Sequence, residues 1–300
     1  AHKEEAYDLV ISVSHCAAKN ISVPKGVSHV CYCLTPMRYA YDQFEAYFGR
    51  SPVKPIIRFV TDKLAHWDKA HSSGVTAFLA ISDFVKARIE RLYRRKAEVV
   101  YPPVRTEWIP VDRTPEKKGF FLCVSALVPY KNIEAVVEAF SSLREPLIVV
   151  GRGPEEARLK RIAGGNVSFI DYLPAGELAK LYAQARALVF AAVEDFGMIP
   201  VEVQAAGTPV IALAEGGSLE TVSLTGAGKT GEQISEPTPK EIAAAVERFM
   251  QSASEFSRES CFKQAERFSV SRFRASFIGF LSSNNLLKES GRERVRAVES

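Results

Sequence analysis

Cysteine is scarce in this 300-residue chain and unpatterned: Cys16, Cys31, Cys33, Cys123 and Cys261 are odd in number and include no C-x-x-C pair. That excludes a disulfide framework and a cysteine zinc site. Several of the five lie in apolar runs, so buried, reduced thiols and a cytoplasmic compartment are expected. Long hydrophobic runs are missing too. None approaches the roughly 18 residues of a membrane-spanning helix, and no signal-peptide pattern is read at the start. An excess of charge is also lacking, since 39 basic and 35 acidic residues leave a formal +4. This is too little to point to nucleic acid, and no basic stripe is interleaved with base-stacking aromatics. It suits an anionic ligand or an acidic membrane surface. There is no fixed-period repeat and no cluster of hard-metal ligands.

Alternating strands and helices are abundant. Residues 8–14 and 29–34 read as buried strands, followed by helices over 37–48 and 52–72. A short strand at 78–81 leads into a helix N-capped by Ser82, and a strand follows at 99–101. Prolines 102, 103, 110 and 115 with Gly119 interrupt regular structure and mark a boundary. Beyond it, strands at 120–124, 147–150, 167–170, 187–191 and 209–212 alternate with helices at 132–143, 155–162, 176–185 and 198–206. Helices over 239–250, 255–268 and 271–281 follow. The rhythm predicts an α/β chain with a doubly wound parallel sheet. Three segments are expected: an α/β domain over 1–112, a doubly wound domain over 113–268, and a helix with a frayed charged tail over 269–300.

Ligands of such sheets bind outside the carboxyl ends of the strands. That rule selects the loops at 125–131, 151–154, 171–174, 192–197 and 213–218. In the fourth, Glu194 sits in the loop after a strand ends and Gly197 permits close backbone approach. The amides of Phe196, Gly197 and Met198 then open a helix with a positive partial charge. Glu202 lies early in that helix, and a carboxylate accepts two hydrogen bonds from a vicinal diol. Gly216-Gly217-Ser218 is an amide-rich turn able to cradle phosphate. Lys131 opens the first helix of this half and offers a point charge to a diphosphate. Singly, each has a bland reading as a solvated glutamate, an ordinary turn or a surface lysine. Together they describe a site for a diphosphate and a sugar.

At these residues the chain resembles glycosyltransferase family 4, the retaining enzymes of GT-B fold. The likeness extends over residues 8–280. It is carried by Ser125-Ala126-Leu127-Val128-Pro129-Tyr130-Lys131, the E-x7-E spacing of Glu194 and Glu202, Ala205-Ala206-Gly207-Thr208-Pro209-Val210, and Gly216-Gly217 with Glu220-Thr221-Val222. Cys31 to Tyr39, including Arg38, looks like the mannosyltransferase branch. The resemblance implies a GT-B architecture whose amino-terminal domain here lacks its opening portion. Glu194 would contact the transferred hexose, Glu202 the ribose diol, and Lys131 with Gly216 and Gly217 the leaving diphosphate. Ser125, Gly151 and Arg152 would complete the donor site, with Arg38 on the acceptor side. No cofactor or metal is implied; the nucleotide sugar is a substrate.

Departures from the family pattern are Ala126 where an arginine is common, with Arg152 placed to supply its charge, and Leu34 where the branch often has histidine. His15 and His29 read as structural. The expected activity is retaining transfer of a hexose, mannose among the candidates, to a glycan or lipid-linked acceptor. The alternatives are a non-catalytic nucleotide-sugar-binding subunit that needs a partner, and a GT-B epimerase or phosphorylase. The basic residues Arg88, Arg91, Arg94, Arg95 and Lys96, together with the amphipathic stretch over 52–72, raise peripheral contact with the inner membrane face. An incomplete sheet with exposed edges raises homo-oligomerisation.

Overall fold

The computed structural model describes residues 7–49, 51–109, 118–226 and 228–286. Pro110 and Pro115 of the expected boundary, and the expected frayed tail from residue 287, lie outside them. The chain forms two compact units, Ala1–Pro102 with Ser271–Ser300, and Pro103–Val270.

In the first unit, β1 (Leu9–Ser14), β2 (Ser28–Cys33), β3 (Ala77–Ala80) and β4 (Ala97–Val99) form a sheet in sequence order, every pair parallel. Between strands run α1 (Phe44–Phe48), α2 (Lys54–His71) and α3 (Asp83–Tyr93). The helix expected over 37–48 contracts to α1, because the Arg38 carbonyl accepts the amides of both Asp42 and Gln43 in a turn. Ser82 caps α3 as expected, its hydroxyl accepting the Val85 amide at 3.0 Å. The interior holds an ion pair invisible to local pattern. Lys19 Nζ lies 2.6 Å from Asp68 Oδ1, and Asp68 Oδ2 accepts the hydroxyls of Tyr41 (3.0 Å) and Tyr93 (2.7 Å). Paired and hydrogen-bonded in this way, the two buried charges are tolerated.

The second unit is built from β5 (Phe121–Val124), α4 (Ile133–Ser142), β6 (Leu147–Val150), α5 (Glu156–Ile162), β7 (Val167–Ile170), α6 (Ala175–Gln184) and β8 (Leu188–Phe190). It continues through α7 (Met198–Ala205), β9 (Val210–Leu213), α8 (Ser218–Thr221), β10 (Gly231–Ile234), α9 (Pro239–Gln251) and α10 (Arg258–Glu266). Its parallel sheet runs β10-β9-β8-β5-β6-β7. Alternate residues of each strand feed opposite cores. Phe121 and Cys123 pack with Val136, Phe140, Val246 and Phe249, whereas Leu122 packs with Ala179, Tyr182 and Leu188. Burial on both faces explains the near-continuous apolar strands. Last comes α11 (Val270–Ser283), whose Phe273 and Phe277 meet the ring of Tyr32 at 5.8 and 6.2 Å between centroids.

The strand order reverses between β5 and β8. Successive crossovers go one way from β5 through β6 to β7, then the other way from β8 outward. Loops leaving β5 and β8 therefore part from each other and leave a crevice, which is where doubly wound sheets bind ligands.

Candidate functional site

Two loops flank that crevice and are tied across it. After β5 the chain makes a tight turn over Pro129–Lys131, and Asn132, left-handed at φ 57°, starts α4. Its side-chain amide donates to the Ala191 carbonyl beyond β8 at 2.9 Å. Lys131, beside it, forms an ion pair with Glu194, both side chains largely withdrawn from solvent. The Glu194 backbone in turn bridges to Gly216, and the Gly217 amide donates to the Glu194 carbonyl at 2.8 Å. Lysine, carboxylate and glycine turn, 85 residues apart in sequence from 131 to 216, thus form one cluster.

The glycines are required by close approach. A Cβ on Gly217 would sit 2.3 Å from the Phe196 carbonyl oxygen, and one on Gly216 2.5 Å from that of Glu194. Gly151 and Gly153 hold the β6 loop flush against the β5 loop, with hydrogen bonds from Ser125 N to the Val150 carbonyl (3.0 Å) and from Leu127 N to the Arg152 carbonyl (2.8 Å). Gly197, at φ 93°, turns the chain into α7, whose first-turn amides have no carbonyl partners within the helix.

Side chains from the predicted set divide accordingly. Lys131, Glu194, Gly216 and Gly217 meet directly, and Ser125 meets Gly151. Phe196 contributes only backbone to the crevice, because its ring is buried against Phe268 at 5.3 Å. Met198 is half exposed at the start of α7, and Arg152 is exposed, its guanidinium 5.8 Å from the Tyr172 ring centroid. Arg38 belongs to the first unit. His29 is interior, its Nε2 2.8 Å from Ser12 Oγ, and burial lowers its pKa.

Glu202, four residues into α7, is half-buried. Its Oε2 accepts the Tyr182 hydroxyl at 3.0 Å, a partner that the sequence reading missed because a tyrosine in an amphipathic helix reads as core. Burial lifts the Glu202 carboxyl above the ordinary glutamate range, and the Tyr182 hydrogen bond opposes that shift. A carboxyl raised in this way contributes stability below the unfolded-chain pKa, and the contribution is lost as pH rises through the folded value. Glu202→Gln is therefore expected to melt above the wild type at about pH 8 and to lose that advantage near pH ~4. Thermal unfolding at the two pH values checks it.

The sequence profile of the family described as Glycosyl transferases group 1 matches residues 104–268, more than half of the chain. The chain belongs to that family. Among curated relatives, the O-antigen chain mannosyltransferase RfbU of Salmonella typhimurium is 32% identical over 146 residues, 44% of this chain and 40% of its own length. A GDP-mannose-dependent α-(1-6)-phosphatidylinositol monomannoside mannosyltransferase of Mycobacterium tuberculosis is 28% identical over 203 residues, covering 58% and 52%. The group 1 chain spans about half the length of the curated relatives it matches. Its fold is that of GT-B glycosyltransferases. Sucrose-phosphate synthase from Thermosynechococcus elongatus superposes with a TM-score of 0.70 at 17% identity, covering 93% of this chain and 73% of the other. Anabaena HepE, solved in complex with UDP-glucose, gives 0.63 at 17% identity, covering 86% and 72%.

Proposed function

We propose that this chain is a family 4 hexosyltransferase. It takes a sugar, mannose foremost, from a nucleoside diphosphate and passes it with retention of configuration to a glycan or lipid-linked acceptor. The observation that carries the reading is the Lys131–Glu194 pair spanning the crevice between β5 and β8, with Gly216-Gly217 docked on Glu194. Lys131 and the turn amides stabilise the diphosphate as the bond from its oxygen to the anomeric carbon breaks, with no divalent ion needed. Glu194 orients the hexose, and Glu202 accepts the ribose hydroxyls. The mannosyltransferase names of the relatives support mannose as the sugar.

Calorimetric titration with UDP, GDP, UDP-glucose and GDP-mannose tests the donor site, and a radiolabelled transfer assay tests turnover. Selective binding that disappears in Glu202→Ala supports the reading; no binding to any of the four ends it. A donor-binding chain that needs another polypeptide for transfer is the second reading, favoured by uncharged Ala126 at the crevice mouth. Binding without turnover would select it.

Peripheral contact with an anionic lipid surface falls to α2. Ile56, Phe59 and Val60 are 67%, 64% and 57% exposed, and Lys63 Nζ lies 5.5 Å from the Phe59 ring centroid. The basic cluster of α3 is less suited. Arg88 and Arg91 bind Asp42 at 2.8 and 2.7 Å, and Arg95 donates to the carbonyls of Ser72 and Val75. Among the described residues no helix is long and apolar enough to cross a membrane. Phosphatidylglycerol vesicles are expected to sediment the wild type, and the double variant Ile56→Ser/Phe59→Ser roughly tenfold less. Equal sedimentation would remove α2 from the account.

A further inference from the structure

We infer that Tyr182 is a positioning residue for ribose recognition, an assignment that rests on the donor-site reading of Glu202. Tyr182 comes from α6 and is 1% exposed, and its hydroxyl donates to Glu202 Oε2 on α7 at 3.0 Å. Its backbone is pinned as well, the Tyr182 carbonyl accepting the buried Thr208 hydroxyl at 2.6 Å. The ring lies tilted against Trp108, 6.0 Å between centroids. The phenol is therefore a fixed donor attached to the core on one side and to the Glu202 carboxylate on the other.

That geometry has a chemical consequence. A glutamate side chain has three rotatable bonds, and a carboxylate that must accept two hydroxyls of a diol has to be held in one plane. Tyr182 occupies one lone-pair position of Oε2 and leaves acceptor positions on both oxygens for the ligand. It also favours the ionised carboxylate, the acceptor form, against burial, which favours the protonated one. A buried phenol could use Glu202 simply as a hydrogen-bond acceptor for itself. The two roles separate by ligand, because only the positioning role depends on the ribose hydroxyls.

The test uses UDP and GDP alongside their 2′,3′-dideoxy forms, titrated calorimetrically into the wild type, Tyr182→Phe, Glu202→Gln and the double variant. Tyr182→Phe removes one oxygen and keeps the packed ring. It is expected to bind the preferred ribonucleotide roughly five- to tenfold more weakly and the dideoxy form unchanged. The acid limb of ribonucleotide binding should move to higher pH. In the Glu202→Gln background the same change should have no further effect. Replacing Tyr182 by 3-fluorotyrosine, nearly the same shape with a more acidic phenol, should shift ribonucleotide affinity the opposite way. It keeps the test open if Tyr182→Phe is poorly folded. Equal losses for ribo and dideoxy ligands, or a persistent effect beside Glu202→Gln, overturn the inference. Wild type that binds nucleotide without distinguishing ribo from dideoxy removes the Glu202 role, and wild type that binds no nucleotide removes the donor site itself.

Discussion

Lys131→Ala is expected to weaken nucleoside diphosphate binding at the proposed donor site by roughly 10- to 100-fold, the cost of one charge-assisted contact to phosphate. The lysine is fixed by its ion pair with Glu194 and by its place next to Asn132, which is itself bound across the crevice. Glu194→Gln should act in opposite directions on two readouts. It removes the anion that occupies Lys131 in the ligand-free chain, leaving a largely buried ammonium without its carboxylate partner. Free diphosphate then no longer competes with the Glu194 carboxylate and should bind several-fold more tightly. Sugar transfer should fall by about 100-fold or more, because the carboxylate proposed to orient the hexose is gone. Calorimetry with UDP or GDP and a transfer assay read the two effects. Parallel losses in both would mean that Glu194 serves the loop rather than the sugar.

Gly151→Ala is the second large effect, and it is one of stability. A Cβ there would sit 1.8 Å from the Ser125 carbonyl oxygen, at a φ of 152°. The neighbour is backbone in the strand-to-loop hydrogen-bond ladder, so nothing can swing away, and β5 and β6 must part at their carboxyl ends. The expected cost is about 3 kcal/mol. That lowers the melting temperature by roughly 6–12 °C for a unit of this size, with the loops after β5 and β6 parted at the same time. Gly176→Ala is the control. It lies in α6 with nothing near its would-be Cβ, and gains up to ~1 kcal/mol of helix propensity. Differential scanning calorimetry of the two variants checks the contrast; a small loss at Gly151 would mean that the β6 loop can move independently of β5.

The second unit was legible because both faces of its sheet are covered. Uninterrupted apolar strands, glycine-bearing loops and amphipathic helices follow one another without ambiguity, and the rule about carboxyl strand ends then selects the loops holding Lys131 and Glu194. The spatial order was not legible. That β8 rather than β7 lies beside β5 depends on where the crossovers reverse, which no local window contains. β10, with the sequence Gly231-Glu232-Gln233-Ile234, carries a single large apolar side chain, Ile234, as an edge strand of the sheet. Tyr182 and the Lys19–Asp68 pair were hidden for a common reason: their partners lie 20 and 49 residues away.

β1 also defeats a reading by polarity. Ser12 and Ser14 face inward and are buried, while Ile11 and Val13 are exposed. Val13 stands in register with Tyr32, whose ring is covered by Phe273 and Phe277; the neighbouring strand has cover that β1 does not. Among the described residues β1 pairs only with β2, so its other edge presents unpaired backbone beside two bare aliphatic side chains. Such a border recruits whatever extended chain it meets first. For the purified chain the expected consequence is association through β1 that grows with concentration and time.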